Sequence, residues 1–154
     1  MTEKIRHSAH ETMPGVFHAN TWGQPLGDNL LEQLIEEAKI NANHKARLCI
    51  HPTSEEKLQV TYLAFKRPYA DKIHKHPYRP EVVIPILGEA RHTLYDSEGK
   101  VLVSRNLDGR KPVAVSTQAE IWHSIDVISE FFVMIEVGSG PFLPNSTTYM
   151  FSEV

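Results

Sequence analysis

The chain predicts a mainly β single domain, a sandwich or barrel preceded by one amphipathic helix. From about residue 46 onward, apolar or alternating segments recur roughly every 8–12 residues between turn-forming residues. One helical repeat stands before them and no second convincing one follows. No internal repeat, low-complexity segment or linker divides the 154 residues, a length that suits one compact domain with a real core.

Residues 1–27 carry Pro14, Gly15, Gly23, Pro25 and Gly27 and read as an irregular arm with one short strand near Val16–Ala19. Asp28 is the expected N-cap. Leu30, Leu31, Leu34, Ile35 and Ala38 then recur at helical spacing, with Glu32, Gln33, Glu36 and Glu37 on the opposite face and Asn41 and Asn43 at the end. Residues 28–45 are therefore a helix packing on the barrel, 46–144 the barrel itself, and 145–154 a C-terminal tail. Strands are expected at Leu58–Phe65, Glu81–Leu87, Glu89–Tyr95, Val101–Arg105, Val113–Val115, Ile121–Ile128 and Phe131–Val137. Asp96-Ser97-Glu98-Gly99 is a hairpin connection, and Gly138-Ser139-Gly140-Pro141 ends the regular region. Pro85 cannot donate a ladder hydrogen bond, so its strand should lie at an edge or carry a bulge there.

Hydrophobic residues at 41% and charged residues at 23% are ordinary for a globular protein. A formal charge of −3 gives no electrostatic reason for nucleic acid or an anionic membrane as partner. One cysteine, Cys49, excludes an internal disulfide framework and reads as a core residue. No signal-like or membrane-spanning apolar run is present, so the cytoplasm is the expected location. Of nine histidines, His7, His10, His18 and His44 sit in polar or turn-like surroundings and are expected at the surface.

His74-Lys75-His76, then Glu81 and Gly88, then Trp122-His123, carry the chemistry. Histidines at i and i+2 of an extended strand share a face about 6–7 Å apart, close enough to lean onto one ion. His123 shares parity with Ile121, Ile125 and Val127 and so faces inward; Trp122 faces the other way and packs. A buried imidazole needs a hydrogen-bond partner or a metal. His74, His76, Glu81 and His123 are thus candidate ligands for one divalent transition metal, and Zn, Fe, Ni, Co and Mn all suit three imidazoles and a carboxylate. The alternative is that His74 and His76 are surface residues beside Pro77 and Pro80, with Glu81 a solvated strand start.

The order His-x-His, four residues, Glu, six residues, Gly, then a distant histidine resembles the first motif of the cupin superfamily. The resemblance implies a conical jelly-roll barrel, or double-stranded β-helix, with the metal near its mouth. Leu30–Ala38, Arg47–His51, His74–Pro77, Glu81–Ile84, Leu94–Gly99, Trp122-His123 and Gly140–Pro144 look like the WbuC-type cupin metalloproteins, over most of residues 28–144. Such proteins are associated with bacterial surface-polysaccharide gene clusters, and no reaction is established for them. One departure stands out: the second cupin motif has Pro-x-Gly-x-x-His, whereas Gln118-Ala119-Glu120-Ile121-Trp122-His123 has neither turn residue.

The resemblance places Arg47 and His51 near the barrel mouth, where they would hold a small polar or anionic ligand; the alternative is a surface arginine and a turn histidine. Tyr62, Arg67, Tyr69, Tyr78 and Arg79 form an aromatic and basic set around the motif, with Tyr62 and Tyr78 as further substrate contacts. His92 either lines the cavity or faces solvent. One ion held this way suits isomerisation or epimerisation of a sugar-derived or carboxylate compound, with Glu81 also serving as a catalytic base. A non-enzymatic ligand-binding barrel and an iron-dependent oxygenase are the alternatives. Exposed strand edges suggest a homodimer.

Overall fold

Among the described residues, alternating side chains along twelve strands close two sheets over a shared interior. The computed structural model describes residues 8–23, 27 and 29–151. His7 and the expected N-cap Asp28 lie outside the described residues.

The elements are β1 (Ala9–Met13), β2 (Val16–Ala19), α1 (Leu30–Ile40), β3 (Lys45–Cys49), β4 (Leu58–Lys66), β5 (His74–Lys75) and β6 (Glu81–Leu87). Then come β7 (Glu89–Tyr95), β8 (Val101–Asp108), β9 (Val115–Thr117), β10 (Trp122–Val127), β11 (Phe131–Ser139) and β12 (Thr148–Tyr149). A seven-stranded sheet runs β1-β2-β3-β4-β11-β6-β9 and a five-stranded sheet runs β12-β5-β10-β7-β8. Every pairing is antiparallel except β2 with β3. This is the jelly-roll architecture of a cupin.

The stretch expected as an irregular arm holds a hairpin, β1–β2, whose second strand is the one anticipated at Val16–Ala19. Beyond Gly138 the chain stays regular to Ser139, and β12 pairs with β5 inside the stretch expected as a tail. The Asp96–Gly99 connection forms as expected: Asp96 Oδ1 accepts from the Glu98 and Lys100 backbone N–H groups, and Gly99 takes φ 83°. Pro85 lies where β6 is free of β9, which pairs only Glu81–Val83, and the β6–β11 register shifts between Val133 and Met134. Both answers to its missing N–H are thus used.

Two apolar clusters follow from the alternation. Leu63, Phe65, Val83, Ile125, Phe132 and Met134 fill the space between the sheets. Phe17, Leu34, Ala38, Leu48, Ala64 and Val133 lie where α1 covers the outer face of the larger sheet. The helix differs from expectation in rotation. Gln33 and Glu37, assigned to the solvent face, are buried with Leu34 and Ala38, while Glu32 and Glu36 stay exposed. Gln33 and Glu37 sit one step back around the helix from Leu34 and Ala38, and the apolar stripe rolls that way onto the sheet. Among the described residues no helix is long and apolar enough to cross a membrane.

A candidate metal centre in the barrel cavity

His74 on β5 stands directly opposite His123 on β10, and His76 follows two residues later. Glu81 reaches the same point from the start of β6, in the other sheet. One ligand atom from each of His74, His76 and His123 lies within 4.8 Å of the others. Glu81 Oε2 is 3.3 Å from His76 Nε2 and Oε1 is 3.0 Å from His123 Nε2. The four side chains therefore converge on one point.

The other ring nitrogens are already committed. His74 Nδ1 lies 2.8 Å from the Lys72 carbonyl, His76 Nδ1 2.8 Å from the Ser146 carbonyl and His123 Nδ1 2.8 Å from the Ile121 carbonyl. Donation from Nδ1 to a carbonyl fixes the tautomer and leaves each Nε2 lone pair free, the arrangement metal-binding histidines use. His123 Nε2 is fully buried and has no aligned hydrogen bond despite its closeness to Glu81. An orphaned buried nitrogen of this kind fits a metal ligand.

Electrostatics point the same way. Burial pushes the Glu81 carboxyl up, but hydrogen-bond distance to His123 and His76 overcomes it and holds the group well below the usual carboxylate range. Burial, then His123 beside it, brings His74 down to about 4. Burial also works against the charged form of His123, yet Glu81 outweighs it and raises that pKa. Without an ion, the Glu81 carboxylate favours a proton on His123, and an ion would take the place of that proton.

The turn before His123 closes without proline or glycine because Glu120 itself adopts a left-handed conformation, φ 67°. Its N–H donates to the His76 carbonyl at 3.0 Å, and its carboxylate pairs with Lys75. The departure from the second cupin motif thus changes the turn residue and leaves His123 opposite His74.

These residues line a cavity of about 960 Å3. Arg47 and His51 lie on its wall, as do Lys45, Tyr69, Asp71 and Arg79. Tyr62 and Tyr78, expected as substrate contacts, do not. Tyr62 packs toward α1, because Thr61 and Leu63 take the inward parity of β4; Tyr78 is 79% exposed. His92 is buried, its Nε2 3.1 Å from Thr117 Oγ1, and burial followed by His123 lowers its pKa to about 4. Trp122 packs under Lys75 Nζ, 4.9 Å from the ring centre. His10 is exposed as expected, whereas His18 and His44 are half-buried, and all three line the cavity.

Two features escaped the sequence reading. The expected tail supplies the Ser146 carbonyl that holds His76, which nothing in residues 145–154 signals. Lys45 donates to the Tyr69 hydroxyl at 3.1 Å, and that hydroxyl donates to Asp71. Burial, then Arg47, brings Lys45 down to about 8. Its pairing needs β3 and the loop after β4 to meet, which no local pattern encodes.

Sequence comparison matches residues 26–107, more than half of the chain, to a family described as a domain of unknown function, DUF6016. No curated protein matches the chain. Among solved structures, the capsular polysaccharide assembling protein CapF from Staphylococcus aureus superposes with a TM-score of 0.62 at 16% identity, over 71% of this chain and 32% of that one. CapF with the inhibitor 3-isopropenyl-tropolone gives 0.61 at 17% identity, over 70% and 32%. Oxalate decarboxylase from Bacillus subtilis gives 0.55 at 21%, over 68% and 27%. The chain spans about a third or less of the length of these structures. At such identities the likeness is one of fold, and the fold is the cupin barrel.

Proposed function

The chain belongs to the DUF6016 family, and we propose that it is a WbuC-type, metal-dependent cupin enzyme acting on a small anionic, sugar-derived or carboxylate compound by isomerase-like chemistry. The observation that carries this reading is the convergence of His74, His76, Glu81 and His123 on one buried point, with His123 Nε2 orphaned there. A role linked to surface polysaccharide is supported by the CapF likeness, since the CapF structure is described as a capsular polysaccharide assembling protein.

A divalent ion bound by the four residues would polarise a carbonyl or hydroxyl oxygen of the substrate. The chain's own groups do the rest. Arg47 and Arg79 line the cavity, and a guanidinium group suits a carboxylate or phosphate. Arg79 is held by Gln59 Oε1 at 3.0 Å and Glu136 Oε1 at 2.9 Å, so its orientation is set before a ligand arrives. Glu81, with its low proton affinity, is better suited to holding charge than to accepting a proton. Lys45, poised near 8 and hydrogen-bonded to Tyr69, is the better proton carrier on the cavity wall.

Protein purified without added metal and then titrated with divalent ions is expected to hold at least one ion, and His123→Gln to lose it. Proton NMR in deuterated water should then show metal-dependent exchange of a carbon-bound hydrogen in hydroxy-carbonyl or uronate-like compounds. Protein that arrives metal-free and cannot be loaded would end this reading.

A further inference from the structure

We propose that His18, Cys49 and His51 form a second metal site, separate from the first centre, for one thiophilic divalent cation such as zinc. One ligand atom from each of the three lies within 4.8 Å of the others. The register of the parallel pair explains why: His18 on β2 is the direct partner of Cys49 on β3, and His51 follows Cys49 by two residues. Zinc in a tetrahedral site draws nitrogen and sulfur ligands to about 3.3–3.8 Å from one another, given bond lengths of about 2.0–2.1 Å and 2.3 Å. Small side-chain rotations close that gap.

The outer contacts repeat the pattern at His74, His76 and His123. His18 Nδ1 lies 3.1 Å from the His51 carbonyl, and His51 Nδ1 lies 3.0 Å from the Val60 carbonyl. Donation along both leaves the two Nε2 lone pairs for an ion. The Val60 N–H is also 3.0 Å from His51 Nδ1, so the metal-free ring can accept there instead, and metal binding selects the Nδ1–H tautomer. Thr61 Oγ1 donates to Cys49 Sγ at 3.7 Å, a contact that a thiolate accepts equally well. All three residues line the cavity, so a fourth coordination position faces the space that the first centre also faces. A closed structural site would have no such opening. Coordination would also tie the β1–β2 hairpin to β3 across the sheet's parallel pairing.

Cobalt separates the two sites, because thiolate coordination produces a near-ultraviolet charge-transfer band and the first centre contains no sulfur. Full-length protein, reduced with a phosphine, loaded with Co2+ and freed of unbound ion, is expected to hold about two ions per chain and show the band. Cys49→Ser should lose the band and one ion; His123→Gln should lose the other ion and keep the band. One ion without the band, unchanged by Cys49→Ser, overturns the second site and leaves the first standing. One ion with the band, unchanged by His123→Gln, supports the second site and overturns the first. Should Cys49→Ser fail to fold, His18→Gln at its half-buried position should weaken cobalt binding at least about tenfold, as measured by the band; an unaltered titration overturns the proposal.

Discussion

His123 joins three lines of evidence in one side chain: its strand partner is His74, its Nδ1 is fixed by a backbone carbonyl, and its Nε2 is buried without an aligned bond. His123→Gln keeps much of the volume but removes the ligand nitrogen, so metal affinity in a chelator competition should fall by about 100-fold or more. Glu120 offers a second residue-scale test. A left-handed conformation costs a non-glycine residue about 1–2 kcal/mol, and φ 67° places Glu120 there. Glu120→Gly should therefore raise stability by about 1 kcal/mol, less the small contribution of the exposed Lys75 pair. Glu120→Ala loses the pair and keeps the strain, so it should melt below the parent. If both variants melt alike, strain at Glu120 is not the governing term. The missing Pro-x-Gly was legible in the sequence as a question about His123; only the backbone shows that glutamate takes the glycine conformation.

Elements were legible where one periodicity governed them and obscure where tertiary pairing did. The His-x-His spacing and the inward parity of His123 could be read because both are consequences of strand alternation. The His18–Cys49 register could not, because a parallel pair between a short strand and another roughly thirty residues on leaves no local trace. Short strands β5 and β12 likewise exist through their partners rather than through their own sequence. The helix was found, but its rotation was set by the sheet: Leu34 and Ala38 are fully buried there and carry Gln33 and Glu37 with them. Leu34→Ala should cost about 2–5 kcal/mol in denaturant unfolding, and an unchanged midpoint would show that α1 is not docked as described. The β6–β7 junction is equally demanding. Gly88 takes φ 77°, and a Cβ there would meet the Phe131 carbonyl oxygen at 2.0 Å. Gly88→Ala should cost more than about 2 kcal/mol, combining strain with displacement of β11, again read as a shift in the denaturation midpoint.

At the scale of the molecule, packing imidazoles into the space between two sheets makes stability depend on acid. Unfolded, each imidazole binds its proton near pH 6.5. Folded, burial and the neighbouring His123 bring both His74 and His92 down to about 4. Between those values the unfolded chain holds more protons, so falling pH favours unfolding. His123 works in the other sense: Glu81 raises its pKa, so its contribution is fully present below about 6.5 and is lost as pH rises through the folded value. Glu81, held well below the usual range, keeps its contribution above the ordinary carboxylate value and loses it only as pH falls further. Through the window from about 6.5 to 4, His123 and Glu81 are therefore close to constant; His74, His92 and His51, whose pKa burial also lowers, drive the decline, and Glu136 and Asp126, whose carboxyls burial pushes up, oppose it toward the acid end. The urea midpoint of metal-free protein should decline steadily across that window. His92→Gln can keep the bond to Thr117 Oγ1 while removing the titrating ring, so its decline should be shallower by the share of one proton. Equal slopes for the two proteins would mean that His92 is protonated as easily in the fold as outside it, against its burial at 1% exposure. Wherever zinc stays bound it should steepen this decline, since the ion replaces the proton that His123 keeps in the metal-free fold while the unfolded chain still takes that proton up; an unchanged slope would mean that the ion does not sit on His123.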